Sequence, residues 1–229
     1  METKIQIVAL PYAVGSLRSY YSMSKISEIE LVKYEVPGRG TRLSESISSM
    51  RSIIEEILKN IDFNRPYILF GHSMGAYITY EACSIIEEKN FPLPLKVILS
   101  AQVPPGKSRI RNMNSIFTHQ ESIEYFEHLG GTPKEVIENS ELIELFSGIL
   151  SHDLSFLKKY LMTGWTDKIK SNLEIWYGEG DNLIQREDIL LWEIHTLGQC
   201  KFMPFSGNHF FINELLQSPD ILKRKLLAI

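Results

Sequence analysis

The stretch Tyr67-Ile68-Leu69-Phe70-Gly71-His72-Ser73-Met74-Gly75, running on into Ala76 to Glu88, decides the fold. Tyr67–Phe70 is a short apolar run behind Pro66, the pattern of a buried strand, and Met74–Glu88 carries the pattern of a helix. Between them stands Gly-x-Ser-x-Gly. A strand that turns directly into a helix forces the central serine into strained backbone geometry and lifts its hydroxyl clear of the sheet, and glycine two residues to either side permits the close approach. The helix behind Ser73 aims its positive end at the site, and the Met74 N–H is placed to donate to an oxyanion. Ser73 is therefore the candidate nucleophile.

Outward from this turn, β-type runs alternate with helical patterns, which predicts an α/β fold: a mostly parallel sheet with helices on both faces. The predicted strands are Ile5–Leu10, Ile29–Val36, Tyr67–Phe70, Leu95–Ser100, Leu173–Tyr177 and Lys201–Phe205. The predicted helices are Ile47–Leu58, Met74–Glu88, Gln185–Thr196 and Ile212–Leu227, the last interrupted near Pro219. From about 104 to 165 no strand pattern occurs, only helical stretches at Ser122–Leu129, Lys134–Glu138, Leu142–Leu150 and Leu154–Leu161, broken at Gly130-Gly131-Thr132-Pro133 and at Ser151-His152-Asp153. A structureless connection of that length does not suit a compact domain, so an inserted helical cap is expected within one domain over 1–229. Phe117, Phe126, Phe146, Leu150, Phe156 and Leu157 are expected at least half-exposed there, which would seat the cap over a pocket.

A serine needs a base and an orienting acid, in the chain order Ser, Asp, His. Asp181 lies in Gly178-Glu179-Gly180-Asp181, at the carboxyl end of a predicted strand, where sheet enzymes gather their sites; Glu179 and Asp188 are its competitors, and a turn or helix-capping aspartate is the plain structural reading. Of six histidines, His209 alone follows a late predicted strand, through Ser206-Gly207-Asn208. His72 is expected packed beneath the turn, His119, His128 and His195 on the surface or cap, and His152 near the pocket. A second oxyanion donor is expected in the loop Pro11-Tyr12-Ala13-Val14-Gly15-Ser16, with Ala13 preferred and Tyr12 next. No metal-ligand spacing and no glycine-rich phosphate loop occurs, so neither a catalytic metal nor a cofactor is expected.

The 229 residues are 44% apolar and 23% charged, close to average globular usage and long enough to bury a large core. With 24 basic against 28 acidic residues the net charge is −4, which argues against nucleic acid as a partner. No run of about twenty apolar residues predicts a membrane span, and Ile5 to Val14, interrupted by Gln6 and Pro11, does not read as a secretory signal. Cys83 and Cys200 match no disulfide framework or metal spacing, so two reduced, buried residues in a cytoplasmic protein are expected. The working expectation for the oligomeric state is a monomer.

Taken together, the motifs resemble those of the stand-alone type II thioesterases that serve non-ribosomal peptide and polyketide synthases. The resemblance covers nearly the whole chain and rests on Pro11-Tyr12-Ala13, Pro37-Gly38-Arg39-Gly40 with Arg42-Leu43, Gly71-His72-Ser73-Met74-Gly75-Ala76, Leu129-Gly130-Gly131-Thr132-Pro133 and Gly207-Asn208-His209-Phe210-Phe211. It implies an α/β-hydrolase fold with a helical cap, and a triad of Ser73, Asp181 and His209. It further implies hydrolysis of acyl groups from the phosphopantetheine arms of acyl or peptidyl carrier proteins. Three departures bear on substrate preference. Val14 stands where the family has one of two successive glycines, Ser151-His152-Asp153 replaces an arginine-alanine-aspartate run, and Asn208 replaces a glycine. The same residues would serve a small-molecule carboxylesterase, and a non-catalytic ligand-binding protein is the alternative from a different class. Carriers of this kind are acidic by the same resemblance, so Lys107, Arg109 and Arg111, or Lys223-Arg224-Lys225, are candidate docking clusters; a solvated face is the plainer alternative for both.

Overall fold

Six strands, β1 (Ile5–Leu10), β2 (Ile29–Leu31), β3 (Tyr67–His72), β4 (Lys96–Ser100), β5 (Leu173–Gly178) and β6 (Cys200–Phe205), pair in parallel in the order β2-β1-β3-β4-β5-β6. This computed structural model describes residues 3–114, 116–166 and 168–228. Met1, Glu2 and Ile229 at the ends of the expected domain, and Ser115 within the expected cap, lie outside the described residues. The helices are α1 (Met50–Leu58), α2 (Met74–Glu88), α3 (His119–Leu129), α4 (Lys134–Ile137), α5 (Ser140–Thr163), α6 (Arg186–Ile189), α7 (Ile212–Leu216) and α8 (Pro219–Leu227).

Alternation along each strand feeds two cores. Val8, Leu10, Leu69, Val97, Leu99, Leu173 and Ile175 face the side covered by α1 and α2, whereas Ile7, Ala9, Ile68, Phe70, Ile98 and Trp176 face the side covered by α7, α8 and the 3-10 stretch Leu17–Lys25. Successive side chains of a strand point to opposite faces, so strands buried on both sides read as continuous apolar runs.

Strand β2 is shorter than the predicted Ile29–Val36. It pairs with β1 only over Ile29–Leu31 and leaves the ladder at the sheet edge, yet Val32, Tyr34 and Val36 stay buried against the α1 side. Beyond Val32, whose N–H still donates to the Ile7 carbonyl at 2.9 Å, the alternation reports burial and not pairing. Helix α1 begins at Met50, three residues after the predicted start, because Ser49 accepts from the Ser52 N–H and caps it. Gln185–Thr196 divides into α6 and a 3-10 stretch, Leu190–His195.

Helices α3, α4 and α5 occupy the cap between β4 and β5. The predicted break at Ser151-His152-Asp153 does not occur: α5 runs unbroken through it. The three residues contain neither glycine nor proline, and the polarity that suggested a loop is explained by Asp153, which is fully buried with its charge paired. Phe126, Leu150, Phe156 and Leu157 are buried, contrary to expectation, while Phe117 and Phe146 are half-buried. Phe126, Ile143, Leu150 and Leu154 form a separate apolar cluster that packs onto Ala13 and Val14. Cys83 is buried and Cys200 half-buried, both as free thiols, and burial pushes each thiol up to about 12.

Candidate active site

In this sheet the chain winds one way from β1 to β2 and the other way from β3 onward, so the carboxyl ends of β1 and β3 diverge around a crevice. Leu10 pairs with Gly71, which sets the loop after β1 beside the turn after β3. A side chain at Gly75 would collide with the Leu10 carbonyl, and one at Gly71 with the Gly75 carbonyl and Thr79 Oγ1. Both glycines are thus required by backbone meeting backbone.

Ser73 sits in this turn at φ 53, ψ −113, a backbone state that non-glycine residues rarely adopt. Its N–H donates to the Ser100 carbonyl at 2.8 Å, tying the turn to the end of β4, and its side chain is half-buried. Met74 opens α2, so its N–H has no carbonyl one turn behind it within the helix.

The turns after β5 and β6 press together in the same manner. The Gly180 N–H donates to the Gly207 carbonyl at 2.9 Å, and a side chain at Gly178 would strike the Gly207 and Asn208 carbonyls. That contact brings Asp181 and His209 together, with Asp181 Oδ2 2.8 Å from His209 Nδ1 and both residues buried. Asp181 Oδ1 accepts from the Leu183 N–H at 2.9 Å, so both carboxylate oxygens are committed. The competitors lie elsewhere: Glu179 is exposed, and Asp188 faces Lys107 at 3.5 Å. Asn208 accepts from the Phe210 N–H through its own side chain at 2.9 Å, which closes the turn locally.

His72 lies beneath these groups, fully buried, with Nδ1 2.8 Å from Ser100 Oγ and its ring packed near Tyr12, His209, Phe210 and Phe211. Burial, and secondarily the neighbouring His209, holds its pKa well below the ordinary histidine value. The cap reaches the same place, since Gly131, at φ 79, lies against the Phe210 ring and Gly130 approaches the Asn208 amide.

A family profile described as "Thioesterase domain" matches residues 5–226. The chain belongs to this thioesterase family. Gramicidin S biosynthesis protein GrsT of Aneurinibacillus migulanus is 25% identical over 216 residues, spanning 92% of this chain and 84% of the relative. The solved structure of ClbQ from the colibactin NRPS/PKS pathway superposes with a TM-score of 0.84 at 24% identity, over 99% of this chain and 98% of that one. The type II thioesterase BorB from the borrelidin biosynthetic cluster superposes at 0.81 with 21% identity, over 100% of this chain and 93% of that one. The α/β-hydrolase fold with a helical cap is shared.

Other groups of this thioesterase fall outside the crevice. His119, His128 and His152 are exposed and His195 half-buried. His152 borders a cavity of about 620 Å³ between α1, α2 and α5 whose lining does not include Ser73, Asp181 or His209. Among the described residues no group of three or more His, Cys, Asp or Glu could hold a metal ion, and no helix is long and apolar enough to cross a membrane.

One feature of the site escaped sequence reasoning. Arg39, of the Pro-Gly-Arg-Gly turn, and Asp153, of α5, form a buried ion pair that also binds the loop after β1. Both residues stand in motifs read from the sequence, but a separation of 114 positions hides the pairing.

Proposed function

We propose that this chain is a serine thioesterase that removes acyl groups from the phosphopantetheine arms of acyl or peptidyl carrier proteins, clearing stalled or wrong chains from a non-ribosomal peptide or polyketide synthase. The observation that carries the reading is the buried 2.8 Å Asp181–His209 contact, made beside a strained Ser73 turn at the carboxyl edge of the sheet. Asp181 binds the Nδ1 proton of His209, which leaves Nε2 free to accept. His209 Nε2 takes the Ser73 hydroxyl proton as Oγ attacks the thioester carbonyl carbon. The N–H groups of Met74 and Ala13 hold the oxyanion, the C–S bond breaks, and the sulfur leaves with the proton from His209 as the free thiol. Water then enters, gives a proton to His209, attacks the acyl-serine and releases the carboxylic acid, restoring Ser73. The scheme draws on no cofactor; phosphopantetheine belongs to the substrate.

The acidic face of a carrier would meet the protein by local charge, because the whole chain is net negative. Of the two basic clusters, Lys107 faces Asp188 and Arg111 lies over the Trp165 ring at 4.6 Å, while Arg109 is exposed; in the second, Lys223 pairs with Glu28 and Lys225 lies over Phe205. Arg224 is exposed as well; of the two we assign Arg109 to docking, because it stands just after β4 at the start of the cap.

Intact-mass spectrometry of carrier proteins loaded with different acyl groups tests the reading. Wild-type protein is expected to return free phosphopantetheinyl carrier, and folded Ser73→Ala to leave the acyl group in place and form no acyl-enzyme. Faster hydrolysis of simple aryl esters than of any carrier thioester would favour a carboxylesterase, and near-normal turnover by Ser73→Ala would remove the serine mechanism.

A further inference from the structure

Asp153 and Arg39 hold the loop that carries Ala13. Asp153 Oδ2 accepts from the Val14 N–H at 2.7 Å and from Arg39 Nη1 at 3.0 Å, and Oδ1 accepts from Arg39 Nη2. Arg39 Nη1 also donates to the Gly15 carbonyl at 3.3 Å, while Nε and Nη2 reach the Pro37 carbonyl at 3.4 and 3.3 Å. Arg39 is 2% and Asp153 0% exposed. A buried charge pair this fully bonded is rigid, because freeing either partner would leave a charge without water or counter-charge.

The loop it grips is strained. Val14 stands at φ 70, a region that a β-branched residue avoids and that persists only where surroundings over-determine it. Asp153 supplies that restraint by accepting the Val14 N–H, and Arg39 supplies it again one residue later at the Gly15 carbonyl. Ala13, the assigned oxyanion donor, is the residue next before, so the peptide planes on its C-terminal side are set by two side chains far off in sequence. One of these belongs to the cap helix α5, whose apolar residues also pack onto Ala13 and Val14.

We propose that Asp153 and Arg39 are positioning residues for the oxyanion hole, holding Val14 in its left-handed state so that the Ala13 N–H faces the carbonyl attacked by Ser73, and that seating of the cap and assembly of the hole are thereby one event. This rests on the roles of Ser73, Met74 and Ala13 given above. The pair contributes to the transition state and not to substrate affinity, because an oxyanion forms only after attack.

The test uses a double variant, Arg39→Met with Asp153→Leu, since replacing both charges of a buried pair by apolar groups often preserves stability. It is expected to keep the fold by circular dichroism, with a thermal midpoint lowered by the lost partners of the Val14 N–H and the Gly15 and Pro37 carbonyls, while kcat on an acyl thioester falls about 10- to 100-fold with KM changed by less than about threefold. Affinity for a trifluoromethyl ketone of matched chain length, whose adduct mimics the oxyanion, falls in parallel. Asp153→Asn is the second variant. Its NH₂ must face a donor, Arg39 Nη2 in one orientation and the Val14 N–H in the other, so one of the two grips is lost with the charge and about tenfold in kcat is expected to go with it. Adding Val14→Gly, which removes the steric resistance to φ 70, is expected to recover part of that loss, a rescue that a purely structural pair would not show. A folded double variant, or Asp153→Asn, with wild-type kcat and inhibitor affinity would overturn the proposal. Ser73→Ala measured alongside keeps the two readings apart: if it too turns over normally, the site assignment has failed and not the clamp alone.

Discussion

Replacing Asp181 by Asn removes one charge while keeping the shape of the side chain, and the surroundings dictate how the amide must sit. The Leu183 N–H donates to Asp181 Oδ1 at 2.9 Å, so the Asn carbonyl is held on that side and its NH₂ must face His209 Nδ1. Flipping the amide would set donor against donor at Leu183, at a cost of about 1–3 kcal/mol for a buried group left unsatisfied. Held unflipped, the NH₂ forces Nδ1 to accept, which moves the imidazole proton to Nε2, the nitrogen that must take the serine proton. The variant also loses the carboxylate facing the imidazolium of the transition state. At about 4 Å between charge centres and an effective dielectric near 20, that attraction is about 4 kcal/mol. With the tautomer cost added, the barrier rises by about 5–7 kcal/mol, a loss of roughly four to five orders of magnitude in turnover. Release of thiol from an acyl N-acetylcysteamine thioester, followed with a thiol-reactive chromophore, measures this; far-UV circular dichroism and thermal unfolding verify the fold. Folded Asp181→Asn within tenfold of wild type would refute the reasoning, and a damaging Glu179→Gln beside a harmless Asp181→Asn would move the acid to Glu179.

Gly75→Ala is expected to destabilise the protein by about 2–4 kcal/mol, read from urea unfolding, because its methyl group meets the Leu10 carbonyl and no flexible side chain is there to yield; an unchanged midpoint would show that the turn is looser than described. Stability is expected to fall with acid through His72: its folded pKa is depressed by burial, so below the ordinary value of 6.5 the unfolded chain binds the extra proton and the folded one does not. Between pH 7 and 5.5 this is on the order of 1 kcal/mol, and His72→Asn, which keeps a polar group toward Ser100, should flatten the dependence of the unfolding free energy on pH. Equal slopes in the two proteins would show that His72 does not titrate on unfolding. Arg109→Ala is expected to slow hydrolysis of carrier-bound thioesters about two- to tenfold and leave a small free thioester unaffected, with the difference shrinking in high salt. Equal loss on both substrates would reject docking through Arg109.

The order of elements and the site turns could be read from the chain because both depend on local chemistry. Strands buried on two faces must be continuously apolar, a strand-to-helix turn bearing a nucleophile must have glycine on both sides, and helix α2 needs nothing distant to begin at Met74. Asp181 and His209 were legible for the same reason, since each follows a strand end through a glycine turn. Where the polarity of a residue is satisfied far away in sequence, local reading fails. Ser151-His152-Asp153 looked like a break because a buried, paired carboxylate is indistinguishable in sequence from a solvated one, and Tyr34 and Val36 looked like a strand because alternation records burial whether or not the backbone is paired. Sequence by itself determined the α/β order and the strand-to-helix turn at Ser73, and offered the candidate nucleophile, acid and base, all of which are set by residues within a few positions of one another. Only the tertiary structure decided that Arg39 meets Asp153 across 114 residues and holds Val14 at φ 70, because that contact exists only once the cap has closed over the loop after β1 and taken both charges out of water.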